Sequence, residues 1–255
     1  MSTATATDQA IEIYWMPGCS SCLRLKEFVE STGLEYTAIN VEAEPELAGK
    51  LRSKGMRVPA LCVGDECVNG VHLSTVAGLL GVDYVEPERL TPAQLRDKYR
   101  LAIDALCRYT AQVTPDVAGF ALPGRERTLI EVAGHAACVM RYFLGKYDDD
   151  EYALFFDDLE PSTRDPREVA AFARESLDLF EQWWAEMGSD DPLDTVIPIY
   201  WGHRTLHEAL EREVWHTVQH TRQVMFMLEQ TGIAPDGPLT ADDLAGLPLP
   251  VRVFD

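Results

Sequence analysis

The stretch IEIYWMPGCSSCLRLKEFVE, residues 11–30, decides the fold of the N-terminal part of the chain. Ile11-Glu12-Ile13-Tyr14-Trp15 reads as a short strand, Pro17 and Gly18 break it, and two cysteines three positions apart open a helix. Cys22, Leu25, Phe28 and Val29 then recur at helical spacing. A thiol at a helix start meets unpaired backbone N–H groups and the positive end of the helix dipole, both of which stabilise thiolate. The first cysteine of such a pair can have its pKa lowered to about 3.5–7.5. Cys19 is therefore placed as a nucleophile and Cys22, one turn later, as the thiol that resolves a mixed disulfide. The competing reading is half of a metal site, which needs two further ligands nearby; the strand-to-helix context favours redox chemistry.

The pattern continues with a strand over 36–41, a helix in EPELAGKLRSKG, strands in VPALCV and ECV on either side of Gly64-Asp65, and a helix in LSTVAGLL. The order β-α-β-α-β-β-α describes a small α/β domain. If Gly64-Asp65 makes a two-residue turn, Cys62 lies directly opposite Cys67. Opposed residues have Cβ atoms about 4.5–5.5 Å apart, near what a disulfide accepts. The two are either an oxidisable cross-strand pair or two small half-buried apolar residues.

After GVDYVEPERLTP the strand signal fades, and four amphipathic segments follow at about 92–113, 126–145, 165–188 and 203–231. Gly145 and Gly232 stand where helices should stop. The expected architecture is a two-domain chain: an α/β domain over 9–83, a linker over 84–91, and a four-helix bundle over 92–255. Its Pro- and Leu-rich tail, 233–255, is expected across the outside of the bundle.

Composition narrows the function. The chain has 255 residues, 46% of them apolar, and a net charge of −20. Such a charge argues against a nucleic-acid partner, whose phosphates need clustered Lys and Arg, and against an anionic membrane surface. No run approaches 18 apolar residues, and MSTATATDQA lacks a signal-peptide pattern. Six cysteines are too few for a disulfide scaffold. The expected location is cytoplasmic.

Four of the six histidines lie in HRTLHEALEREVWHTVQH. His203/His207 and His216/His220 are each i, i+4 pairs, but at about 100° per residue the two pairs point to opposite sides of one helix. Periodicity alone leans toward His203 and His207 as the inward pair. His135 lies beside the stripe Val132, Ala136, Val139 and Phe143, either as a core histidine or as a ligand facing a His-x-x-x-His pair. Three imidazoles would suit a zinc- or nickel-type site with an open position. Glu131 and Glu213 are candidate carboxylates for orienting the rings, and Cys138 is either an alternative ligand or a small core residue.

Two resemblances sharpen these readings. YWMPGCSSCLRLKEFV, followed by RVPAL and GDECVNG, resembles a glutaredoxin of the thioredoxin fold across residues 11–80. That implies a cis Val58-Pro59 peptide that faces Cys19 and binds the thiol substrate through its backbone. Ser-Ser stands between the cysteines where the family commonly has Pro-Tyr, and Arg57 where a hydroxyl residue is frequent. Residues 91–255 resemble a DinB-like four-helix bundle, a superfamily that includes thiol-dependent S-transferases and isomerases. EVAGHAACVMRYFL and EVWHTVQHTRQ match its metal motifs, which implies His135, His216 and His220 as ligands of a divalent metal. The two together imply a thiol–disulfide oxidoreductase coupled to a metal-dependent thiol transferase. It would use a low-molecular-weight thiol (glutathione, mycothiol or bacillithiol) and a small electrophile or disulfide, and the second family also implies a homodimer. The alternative is a redox-responsive metal-binding or regulatory protein without turnover in the bundle.

Overall fold

The computed structural model describes residues 9–148, 159–187, 193–199 and 201–254. The chain divides into two compact units, one made of residues 1–87 and 250–255, the other of residues 88–249.

In the first unit β1 (Ile11–Trp15), α1 (Ser20–Thr32), β2 (Thr37–Asn40), α2 (Pro45–Ser53), β3 (Ala60–Val63), β4 (Glu66–Asn69) and α3 (Leu73–Leu80) follow in the expected order. The sheet runs β2-β1-β3-β4, with β1 parallel to β2 and the other pairings antiparallel. Alternation along the strands splits the core between the two faces. Ile11, Ile13, Leu61 and Val63 pack with Leu25 and Val29 of α1 and Val76 of α3, while Tyr14, Ala60 and Cys62 pack with Leu51 of α2. Pro45 occupies the first turn of α2, and Gly33 closes α1 at φ 74°, a left-handed cap that favours glycine.

In the second unit α4 (Pro92–Gln112), the short α5 (Pro115–Ala118), α6 (Leu129–Asp148), α7 (Pro166–Met187), a hairpin of β5 (Val196–Ile199) and β6 (Gly202–Thr205), α8 (Leu206–Gln230) and the short α9 (Ala241–Leu244) form the bundle. The helices α4 and α6 each pack against both α7 and α8 and lie diagonally from one another. An aromatic cluster fills one level of the core. Tyr99 meets Phe180 edge-on at 4.9 Å, and Phe143 meets Trp183 at 5.0 Å. Trp183, Trp184, Trp201 and Trp215 are all buried. Among the described residues no helix is long and apolar enough to cross a membrane.

The structure corrects four expectations. The bundle half is not purely helical: β5 and β6 pair antiparallel, with Pro198 opposite His203, and a proline within a run hides a strand from its sequence pattern. The last helix starts at Leu206 rather than 203, because Thr205 and Glu208 form a capping box there. Gly145 does not stop the second helix, which runs through to Asp148. Only part of the tail stays with the bundle. Arg108 donates to the carbonyls of Asp236 and Gly237, and Lys98 to those of Asp242 and Asp243. Residues 250–255 belong to the first unit, where the Glu27 carboxylate accepts the backbone N–H groups of Val251 and Arg252.

Candidate functional sites

Cys19 is the N-cap of α1, and its Sγ accepts the backbone N–H of Cys22 at 3.1 Å. Pro17 and Gly18, the latter at φ 77°, turn the chain from β1 into the helix, which brings the Cys22 N–H onto this sulfur. Cys19 and Cys22 are joined in a disulfide with Cα atoms 5.2 Å apart. Cys19 is half-buried and Cys22 fully buried, which makes Cys19 the more accessible sulfur of the pair. Ser20 and Ser21 are small but buried, and the Lys26 ammonium lies 3.1 Å from the centre of the Trp15 ring.

The Val58-Pro59 peptide is cis, and Gly70 donates its N–H to the Pro59 carbonyl at 2.8 Å. A Cβ at position 70 would stand 2.5 Å from Leu25 Cδ2, 3.0 Å from Pro59 Cβ and 3.2 Å from the Pro59 carbonyl carbon. The sequence places glycine where the proline loop must be approached this closely. In the hairpin beyond, Cys62 pairs directly with Cys67, and the two form a second disulfide.

In the bundle His135 lies on α6, and His216 and His220 lie one turn apart on α8. One ligand atom from each falls within 4.8 Å of the other two, and all three side chains are buried. His216 Nε2 and His220 Nε2 are 2.9 Å apart. His135 Nδ1–H donates to Glu160 Oε1 at 2.6 Å, and His220 Nδ1–H donates to Gln223 Oε1 at 2.7 Å. These bonds fix the tautomers and leave Nε2 of both rings as acceptors. Burial holds His220 well below the ordinary imidazole pKa, with the neighbouring His135 adding to the shift. Burial lowers His135 as well, against the pull of Glu160. The rings are neutral near pH 7, the form that ligates a metal. Three buried imidazoles, two of them held in place by hydrogen bonds, form a donor set that fits a divalent metal ion.

Around them, Arg212 Nη1 lies 2.6 Å from both His216 Nδ1 and Glu213 Oε2, and Glu213 Oε2 is 3.6 Å from His216 Nδ1. Arg127 pairs with Glu160 at 2.8 Å, and Glu160 stays ionised because His135 and Arg127 together outweigh the opposing effect of burial. Cys138 donates to the His135 carbonyl, and burial pushes its thiol far up. His135, Cys138 and Glu160 form an overlapping donor group, but the Cys138 proton makes it the weaker one near pH 7.

His203 and His207 do not join the cluster. His203 is exposed on β6, and His207 Nε2–H donates to the Leu90 carbonyl at 2.8 Å. Glu131 bonds Thr128 and Arg164 rather than an imidazole. Glu160, Arg212 and Gln223 were missed. The last two stand at helical i−4 from His216 and i+3 from His220, a spacing that could have flagged them. Glu160 lies outside the long helices, 25 residues from His135, and nothing local marks it.

Comparison with known proteins gives two family matches. The model described as Glutaredoxin matches residues 11–68, and that of the DinB superfamily matches residues 87–224. Among curated relatives, the glutaredoxin-like protein NrdH of Salmonella typhimurium (strain LT2) is 37% identical over 57 residues, which are 22% of this chain and 70% of that protein. The protein of the same description from Escherichia coli (strain K12) is 38% identical over 56 residues, 22% and 69% of the respective chains.

Proposed function

We propose that this chain, which belongs to the DinB superfamily and carries a glutaredoxin domain ahead of it, joins thiol–disulfide exchange to metal-dependent thiol transfer on one polypeptide. The observation that carries the reading is the pairing of a helix-capping dithiol with three converging buried imidazoles. In the first unit, the Cys19 thiolate attacks a substrate disulfide, forming a Cys19–S bond and releasing one thiol. Cys22 then attacks Cys19 Sγ, so the second thiol leaves and the Cys19–Cys22 disulfide closes. The two electrons that reduce the substrate come from the two protein thiols. The Cys22 N–H bond to Cys19 Sγ supports the thiolate between turnovers, and the backbone at Val58 and Pro59 supplies the surface for the substrate sulfur.

In the second unit His135, His216 and His220 would hold the ion, and Glu160 and Gln223 orient two of the rings. A divalent ion there supplies the positive charge that keeps a small thiol deprotonated for attack on an electrophile. The partners are a small-molecule thiol with a small electrophile or disulfide, the setting a reducing cytoplasm, and a homodimer is the proposed assembly.

Elemental mass spectrometry of the purified protein beside a His216→Ala variant of unchanged helical content tests the metal half. About one zinc or nickel per chain, lost in the variant, supports it; no metal in either after supplementation sinks it, leaving a redox domain joined to a binding module. A dithiol-coupled disulfide reductase assay tests the other half independently, with Cys19→Ser expected to abolish turnover.

A further inference from the structure

The first unit carries a second pair of bonded cysteines that the reaction above does not use. Cys62 and Cys67 face each other across β3 and β4, with Cα atoms 4.1 Å apart. Their side of the sheet is the one packed by α2, whereas Leu61 and Val63 face α1. Cys62 stands three residues beyond Pro59 in β3, on the order of 10 Å along the strand. Cys62 is buried, but Cys67 is partly exposed, and the Lys54 ammonium lies 3.3 Å from its Sγ while also donating to the Asp65 carbonyl. Lys50, Lys54, Glu12, Tyr14 and the two cysteines line one shallow depression. A bond meant only as a staple needs no opening at one sulfur and no cation beside it.

We infer that Cys62–Cys67 is a second dithiol–disulfide couple, entered at Cys67 by a small anionic thiol. The incoming thiolate forms a bond to Cys67 Sγ and breaks the Cys62–Cys67 bond. The electron pair passes to Cys62, which takes up a proton from solvent as the bond opens. A second thiolate attacks the incoming sulfur of the mixed disulfide, releasing Cys67 as thiolate beside Lys54 and leaving the small disulfide as product. Two small thiols are oxidised and one protein disulfide is reduced; reaction of the dithiol with a small disulfide reverses the sequence.

The test uses the full chain with Cys19→Ser and Cys22→Ser, so that the first couple is silent. The protein is equilibrated in graded mixtures of reduced and oxidised dithiothreitol, trapped with a maleimide, and mapped by peptide mass. Cys62 and Cys67 are expected to become alkylated together in a single two-electron transition, with the far-ultraviolet circular dichroism unchanged. Thiols free in fully oxidised buffer, or a bond that opens only when the chain unfolds, would overturn the inference. The route of entry is read from initial rates of reduction by mercaptoethanesulfonate and by cationic cysteamine in a Lys54→Met variant. The anionic thiol should slow by roughly fivefold, the cationic one not at all; equal slowing of both would remove Lys54 from the mechanism.

Discussion

At the scale of single residues, Glu160 matters more than any other group that is not itself a proposed ligand. Its Oε1 accepts from His135 Nδ1 and faces Arg127, so it fixes which nitrogen of the ring carries the proton. Glu160→Gln keeps the size and an accepting oxygen but removes the charge. Affinity for zinc, measured by competition with a chromophoric chelator, should fall by 10- to 100-fold, while the urea midpoint of the metal-free protein shifts little. An unchanged affinity would show that Glu160 only satisfies a buried ring. The contrast with the cysteines explains what a sequence reveals at this scale. Cys19 and Cys22 could be placed because helix geometry ties a local spacing to a chemical consequence. Cys62 and Cys67 were found opposite each other because one turn fixes the register of a hairpin. Glu160 meets His135 only through tertiary structure, so no periodicity announces it.

At the scale of elements, four helix starts share one device. Thr91 pairs with Gln94, Thr128 with Glu131, Thr205 with Glu208 and Thr240 with Asp243, each acidic or amide side chain accepting the backbone N–H of its threonine. Glu131 and Asp243 are held below their ordinary pKa values, in both cases chiefly by that backbone bond. Their unfolded forms bind protons more readily than the folded ones. This stabilisation is therefore fully present above about pH 4.5 and is lost as the pH falls through the lower folded values. Glu131→Gln keeps the acceptor and removes the titration. It should cost about 0.5–1 kcal/mol at pH 7, and its urea midpoint should converge on that of the parent as the pH falls through the lowered folded-state pKa of Glu131. The Thr-x-x-Glu spacing was available in the sequence and would have set the start of α8 at 206. Helical periodicity, read without it, carried the helix back across His203 and inclined the wheel toward the wrong pair. The β5–β6 ribbon was harder to foresee, because Pro198 mutes the alternation that defines a strand.

At the scale of the whole molecule, the α/β and bundle halves were legible because the period of apolar residues changes near residue 90 from mixed to mainly helical. The return of the last residues to the first unit was not legible, since it rests on one carboxylate capturing two backbone N–H groups. Arg252 reinforces it with pairs to Glu27 at 3.2 Å and Glu30 at 2.9 Å, although exposed pairs of this kind contribute little each. Truncation after Leu249 should lower the thermal midpoint of the first unit by a few degrees and leave the bundle transition in place; calorimetry that finds the bundle transition moved instead would contradict this assignment. The arrangement also orders events at the ribosome. The unit that emerges first is the last to be complete, because its final segment is translated only after the entire bundle. At ordinary elongation rates that delay is on the order of ten to thirty seconds, during which Glu27 waits for a partner still being synthesised.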